Sequence, residues 1–215
     1  MTRRGVGIAA GSCLILLAGF AVSAWAASTG RLAGFDHDVT RRALERTDHA
    51  GDVTASLLAL PAGGVLSIVW VAALLVIAWR RPPLRPAVAA LVAVLVAVVG
   101  IELVVKSALV HPAPGGARTI DFIPLASSPS TQGSFPSGHM ARSIILGTGT
   151  ALLVSAPVHR RRALALAEVW ITVIALTRVY LGEHWASDVI GGALIGAAAL
   201  PAFVIAARQS LASAG

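Results

Sequence analysis

The chain has 215 residues, of which 56% are hydrophobic and only 13% charged, with a mean hydropathy of +0.80; that balance excludes an ordinary soluble domain and marks an integral membrane protein. The formal charge of +7 sits mostly in short arginine clusters between apolar runs, so it reads as topogenic charge and not as the footprint of a nucleic-acid partner. The single cysteine, Cys13, lies inside the first apolar run, which excludes both a disulfide framework and a thiolate metal site.

A bilayer core takes about 20 mostly apolar residues per helix. Six runs are long enough, at roughly 5–27, 56–79, 87–109, 138–156, 163–180 and 187–207. The first competes with a signal-peptide reading, because Thr2-Arg3-Arg4 precedes it and the small-residue sequence Ala24-Trp25-Ala26 closes it. Its apolar stretch is longer than a signal core, which favours a span. Between the first two runs, Phe35, Val39, Arg42 and Arg46 recur at helical spacing, predicting either a short amphipathic helix at the interface or a solvated connector. Arg81-Pro82-Pro83 and Pro157 are plain breaks, since proline cannot continue a helix. No internal repeat stands out. The expectation is one all-α domain over 1–215, a six-span transmembrane helical bundle.

An even number of spans puts both termini on one side. Arg3 and Arg4, Arg80, Arg81 and Arg85, Arg160 to Arg162, and Arg208 then share a face, which the positive-inside rule makes cytoplasmic. The opposite, outer face carries segments 28–55, 110–137 and 181–186. These hold most of the acids, and five of the six histidines lie in or beside them.

The residues with chemical meaning fall at span ends on that outer face. Phe-Pro-Ser-Gly-His at 135–139 precedes a run as a helix N-terminus does, with Ser137 to cap and Gly138 to allow close approach. Free amides and the positive dipole end suit an anion there, and His139 falls in the first turn. In the stretch 177–188, His184 and Asp188 are four apart, so a helix beginning near His184 would let the carboxylate hold one imidazole nitrogen and leave the other free as a nucleophile. Arg178 offers a planar fork of donors for a phosphate. Against sixteen arginines there is one lysine, Lys106, at the end of the third run. Glu102 stands one turn before it, in the order that favours a pair orienting the lysine. Glu168 has no partner visible in sequence, and contact with another helix is the default. Gly191, Gly192 and Gly196 lie within a run, where close helix packing explains them better than a phosphate loop. Singly, each of these side chains also has a bland role as a cap, a packing group or a snorkelling charge.

Taken together, the pattern over about 100–190 resembles the type 2 phosphatidic acid phosphatase family, which is itself similar to vanadium haloperoxidases and bacterial acid phosphatases. The family's second motif is matched in full by Pro136, Ser137, Gly138 and His139. Its third is matched by Arg178, His184 and Asp188, with Thr177 in place of serine. Its first, a lysine followed after six residues by Arg-Pro, is matched by Lys106 and Pro114, but Ala113 stands where the arginine belongs.

The resemblance implies a metal-independent, cofactor-free phosphatase that acts on a lipid phosphate or diphosphate from the outer side of the cell membrane. His184 would form a phosphohistidine with Asp188 supporting its ring, and His139 would protonate the leaving oxygen and then activate water. Lys106, Arg178 and the amides around Ser137 and Gly138 would carry the phosphoryl oxygens. Arg142, one turn past His139, or Arg118, in the same outer loop as Ala113, would replace the missing arginine; the cost of an arginine inside a span favours Arg142. The substrate expected first is a polyprenyl phosphate or diphosphate, with phosphatidylglycerol phosphate or phosphatidate as alternatives. A binding or transport protein that has lost turnover, or a lipid phosphotransferase, stand as competing readings.

Overall fold

The structure is a computed structural model that describes residues 3–45, 47–122, 133–154, 156 and 158–212. The described residues are helical or irregular, with no strand. In chain order the helices are α1 (Arg3–Ser28), α2 (Ala33–Leu44), α3 (His49–Ala59), α4 (Gly64–Arg80), α5 (Arg85–Ala108), α6 (Gly138–Ser143), α7 (Gly149–Val154), α8 (Arg160–Tyr180) and α9 (Ala186–Ala212).

Among the described residues, four helical segments are long and apolar enough to cross a membrane: 5–28, 82–108, 160–180 and 186–207. A fifth is added if α3 and α4 form one broken span, bent by 42°. The expected single run over 56–79 is therefore two helices. Pro61 opens a 3₁₀ turn over Leu60–Ala62, and Gly63 is extended, so the α-helical ladder cannot pass. The expected run over 138–156 is helical through residue 154, but Ile144–Thr148 form a π turn that divides it into α6 and α7. Residues 155 and 157, including the expected break at Pro157, lie outside the described residues.

Other expectations hold. The amphipathic segment is helix α2, whose Phe35 is exposed while Asp36 and Thr40 are buried; Arg46 lies outside the described residues. Arg81-Pro82-Pro83 ends α4, and a 3₁₀ turn over Pro82–Leu84 leads into α5. Pro201, by contrast, sits within α9 without ending it.

Helix α9 is the central element, packed along α1 and α5 and against the start of α6. Its glycines explain the last contact: a Cβ on Gly191 would enter the ring of Phe135, and one on Gly192 would collide with the Ser137 carbonyl. Gly196 meets Ala141 in the same way. The small residues thus serve helix packing, and they bring the Pro136–His139 stretch directly against α9. Phe20 of α1 stacks on Phe135, with ring centroids 5.8 Å apart. Away from this core the helices present large apolar side chains outward, among them Ile8, Leu14, Ile15, Ile68, Val104, Leu166 and Leu176. Such a surface suits lipid. Glu168, expected to meet another helix, is instead exposed on α8.

Candidate active site

The turn between α8 and α9 builds one half of the site. Gly182 adopts φ of +69°, the left-handed position that closes a helix at little cost for glycine, and its N–H donates to the Val179 carbonyl at 3.0 Å. The chain then doubles back so that the Arg178 carbonyl accepts from both Glu183 N (3.2 Å) and His184 N (3.3 Å). Helix α9 begins only at Ala186, so His184 does not share a helical face with Asp188. The two meet through the cap: Asp188 donates its N–H to the Trp185 carbonyl (3.1 Å), and its Oδ2 accepts the Trp185 N–H (3.0 Å), a reciprocal capping arrangement. The same Oδ2 lies 3.3 Å from His184 Nδ1. With Nδ1–H donating to this carboxylate, the neutral ring keeps its lone pair on Nε2.

Asp188 is fully buried and His184 nearly so. Two contacts from distant segments hold this turn. The Asp188 carbonyl accepts from Ser137 N at 2.9 Å, tying the Pro136–His139 stretch to α9. Asp36 of α2, 2% exposed, accepts from Ser187 N (2.8 Å) and Ser187 Oγ (2.6 Å), so a buried carboxylate sits at the positive end of α9. Neither Asp36 nor this role was visible in the sequence, whose only signal was a carboxylate on an otherwise half-apolar helix.

Arg178 is the largest fully buried side chain among the described residues, at 1% exposure. One guanidinium nitrogen is paired with Glu183, which also accepts from the Thr119 hydroxyl. Nε and the other terminal nitrogen have no hydrogen-bond partner among the described residues. Leaving such donors buried and unpaired costs on the order of 1–3 kcal/mol each, so they are poised for an acceptor. Ser137 Oγ is a second orphan: Ser137 occupies the position before α6, yet its side chain makes no capping bond, and the hydroxyl is buried without a partner among the described residues. The expected capping role gives way to a free hydroxyl.

The other half of the site is an ion-pair cluster. Glu102 accepts from Lys106 Nζ at 2.9 Å, the expected pair one turn apart, and from Arg142 NH1 at 3.2 Å. Gly138 passes so close to Glu102 that a Cβ there would collide with the carboxylate. Arg142 also donates from Nε to the Ala62 carbonyl at 3.2 Å, at the α3–α4 bend.

A cavity of about 320 Å³ joins the halves, lined by Lys106, Ala113, Gly138, His139, Arg142, Glu183 and His184 with loop residues 115–117 and 133–134. A second, of about 350 Å³, has His139, Arg178 and Glu183 on one wall and Ala59, Leu60 and Leu66 of the α3–α4 bend on another. Of the two arginines expected to compensate for Ala113, Arg142 therefore lines a cavity. Arg118 donates to Asp52 (3.1 Å) and to the Tyr180 carbonyl, and is not among the residues lining either cavity. Among the described residues no group of three His, Cys, Asp or Glu side chains is placed to hold a metal ion.

The family model of the PAP2 superfamily matches residues 86–211, more than half of the chain and all three motif regions. The chain belongs to the PAP2 superfamily. The overall fold is similar to the crystal structure of the first transmembrane PAP2 type phosphatidylglycerolphosphate phosphatase from Bacillus subtilis, with a TM-score of 0.72 and 19% identity over 92% of this chain and 94% of that one. No curated protein sequence matches the chain. Within the PAP2 superfamily pattern, Asp36, Asp52 and Ala62 fall outside the matched residues, yet each contacts a side chain or amide inside them.

Proposed function

We propose that the chain is a membrane lipid phosphatase that transfers the phosphoryl group first to His184 and then to water. The observation that carries this reading is Arg178: a wholly buried guanidinium with two nitrogens unpaired among the described residues, on the wall of a cavity that His139 shares. A phosphoryl group is the acceptor that a planar fork in a dry site suits.

In the first step His184 Nε2 attacks phosphorus and the bond to the leaving oxygen breaks, while Asp188 supports the charge that develops on the ring. His139 gives its proton to the leaving oxygen and then takes one from the water that cleaves the phosphohistidine. Arg178, Lys106, Ser137 and the amides at Gly138 and His139 neutralise charge on the three equatorial oxygens, the contribution on which phosphoryl transfer chiefly depends. No step in this scheme calls for a metal ion. The topology that accompanies it has six spans, with α6–α7 as the fourth, both termini cytoplasmic, and the site open to the periplasm or cell exterior.

Among lipids we put a polyprenyl phosphate or diphosphate first, because the cavity beside Arg178 is walled by apolar residues of the α3–α4 bend, where a long tail can lie. Phosphatidylglycerol phosphate is the second reading, favoured by the fold's likeness to a phosphatidylglycerolphosphate phosphatase. The test is phosphate release by purified protein in detergent with a chelator present, across polyprenyl phosphate and diphosphate, phosphatidylglycerol phosphate and phosphatidate. Release that disappears in His184→Ala is expected. Absence of release from every lipid would leave a binding protein, and phosphate moving to a lipid acceptor without free phosphate would leave a phosphotransferase.

A further inference from the structure

Asp188 has a second histidine. His111 Nε2 lies 3.3 Å from Asp188 Oδ1, on the carboxylate oxygen that His184 does not use. The pair is within ion-pair distance but is not aligned as a hydrogen bond, since neither atom has a hydrogen-bond partner among the described residues; it is a charge contact. His111 is not loosely placed. Its carbonyl accepts from Ser134 N (2.7 Å) and Ser134 Oγ (2.8 Å), the next carbonyl, Pro112, accepts from the Trp185 indole (2.7 Å), and its ring meets Phe135 edge-on with centroids 6.3 Å apart. Segments 109–114, 133–135 and 184–188 thus converge to hold a third imidazole against the aspartate.

We propose that His111 is a positioning residue for this site: by sharing Asp188 with His184, it sets through its own protonation how much of the carboxylate's charge reaches the His184 ring. The proposal rests on the reading of His184 as nucleophile. When His111 is neutral, Asp188 supports His184 with its full charge, and Nε2 is at its most nucleophilic. When His111 is charged, the aspartate is divided between two imidazoles and the support weakens. Contact with Asp188 pushes the His111 pKa up from its ordinary value against the opposing cost of burial, and the charge of Asp36 adds to the rise, so its change of state moves to higher pH. The titratable groups around His111 are Asp188 and His184 at the α9 turn and, across a small shared cavity, Asp36 and His37 of α2. Asp36 is already committed to Ser187.

The decisive measurement is ¹⁵N-histidine NMR of the wild-type protein in detergent across pH 5–9. Two coupled groups do not titrate independently, so the His184 signal should show an inflection at the pH where His111 titrates. Single, independent steps for the two rings would overturn the proposal. The second measurement is the pH profile of kcat/KM in His111→Gln, whose amide cannot titrate. The substrate's own ionisation is common to both proteins, so the difference between profiles isolates His111. The expected outcome is a shallower acid limb, with kcat/KM at pH 6 raised severalfold relative to its value at pH 8. A variant profile parallel to wild type at every pH, whether lower or equal, would make His111 a packing residue and sink the idea. Should the wild type release no phosphate from any lipid, the functional reading fails by itself, and the NMR coupling still decides whether His111 and His184 share Asp188.

Discussion

The two walls of the site are built in opposite ways. The His184 wall is local: within residues 178–188, one glycine turn, one carbonyl and one cap set His184, Asp188 and Arg178. The Lys106 wall is assembled across the chain, with Glu102 holding Lys106 from its own helix and Arg142 from another, and Arg142 reaching back to Ala62. One wall positions its side chains by backbone geometry, and the other positions charge by mutual pairing. The first should tolerate almost no substitution, while the second can redistribute, which is how Ala113 can stand where the family pattern has an arginine.

The largest effect that would sharpen this contrast is expected for Asp188→Asn. The amide can still accept from Trp185 N–H and keep the cap, but it no longer opposes charge on His184 or holds its ring in one tautomer. By analogy with other histidine–aspartate pairs, kcat should fall on the order of 10³- to 10⁴-fold, with the melting temperature little changed. A loss of only a few-fold would mean that the local wall is not where the chemistry is set.

Next comes Arg178→Lys, which preserves charge but removes the fork. The ammonium can keep Glu183 but cannot also present two parallel donors, so kcat/KM for phosphate release should fall by about 10²-fold. Equal activity in the lysine variant would show that a point charge suffices and that the orphaned nitrogens have no acceptor during turnover.

The same division explains what could be read in the chain. Pro136–His139 and Arg178–Asp188 are short contiguous patterns, and Glu102–Lys106 is one helical turn, so spacing alone brought those residues together. The bend at Leu60–Ala62 had an equally local signal in Pro61 with Gly63 and Gly64, but the apolar character of 56–79 masked it and the run was expected as one span. Asp36 and His111 were not legible as site residues, because what matters about each is a partner 151 or 77 positions away: Ser187 and Asp188. The π turn at Ile144–Thr148 has no composition cue at all, since its residues would suit an unbroken helix.

The smallest effects test whether the distributed wall has truly redistributed. If Arg142 supplies the contact that Ala113 cannot, Arg142→Ala should raise KM by about tenfold, the equivalent of one charged hydrogen bond at the weak end of its range because Glu102 already shares the guanidinium. Arg118→Ala should leave KM nearly unchanged, since its fork is occupied by Asp52 and the Tyr180 carbonyl. Ala113 lines the same cavity as Arg142, so restoring the family arginine by Ala113→Arg in the Arg142→Ala background should return KM toward the wild-type value while leaving kcat close to it. Two measurements could break the argument: an Arg142→Ala protein with unaltered KM and kcat, in which case Arg142 serves only to neutralise Glu102, or a double variant that gains nothing, in which case position 113 does not reach the phosphoryl group. Rescue by Ala113→Arg without an initial defect in Arg142→Ala is not open to the pairing model, because the same phosphoryl oxygen cannot be short of a donor in one background and satisfied in the other.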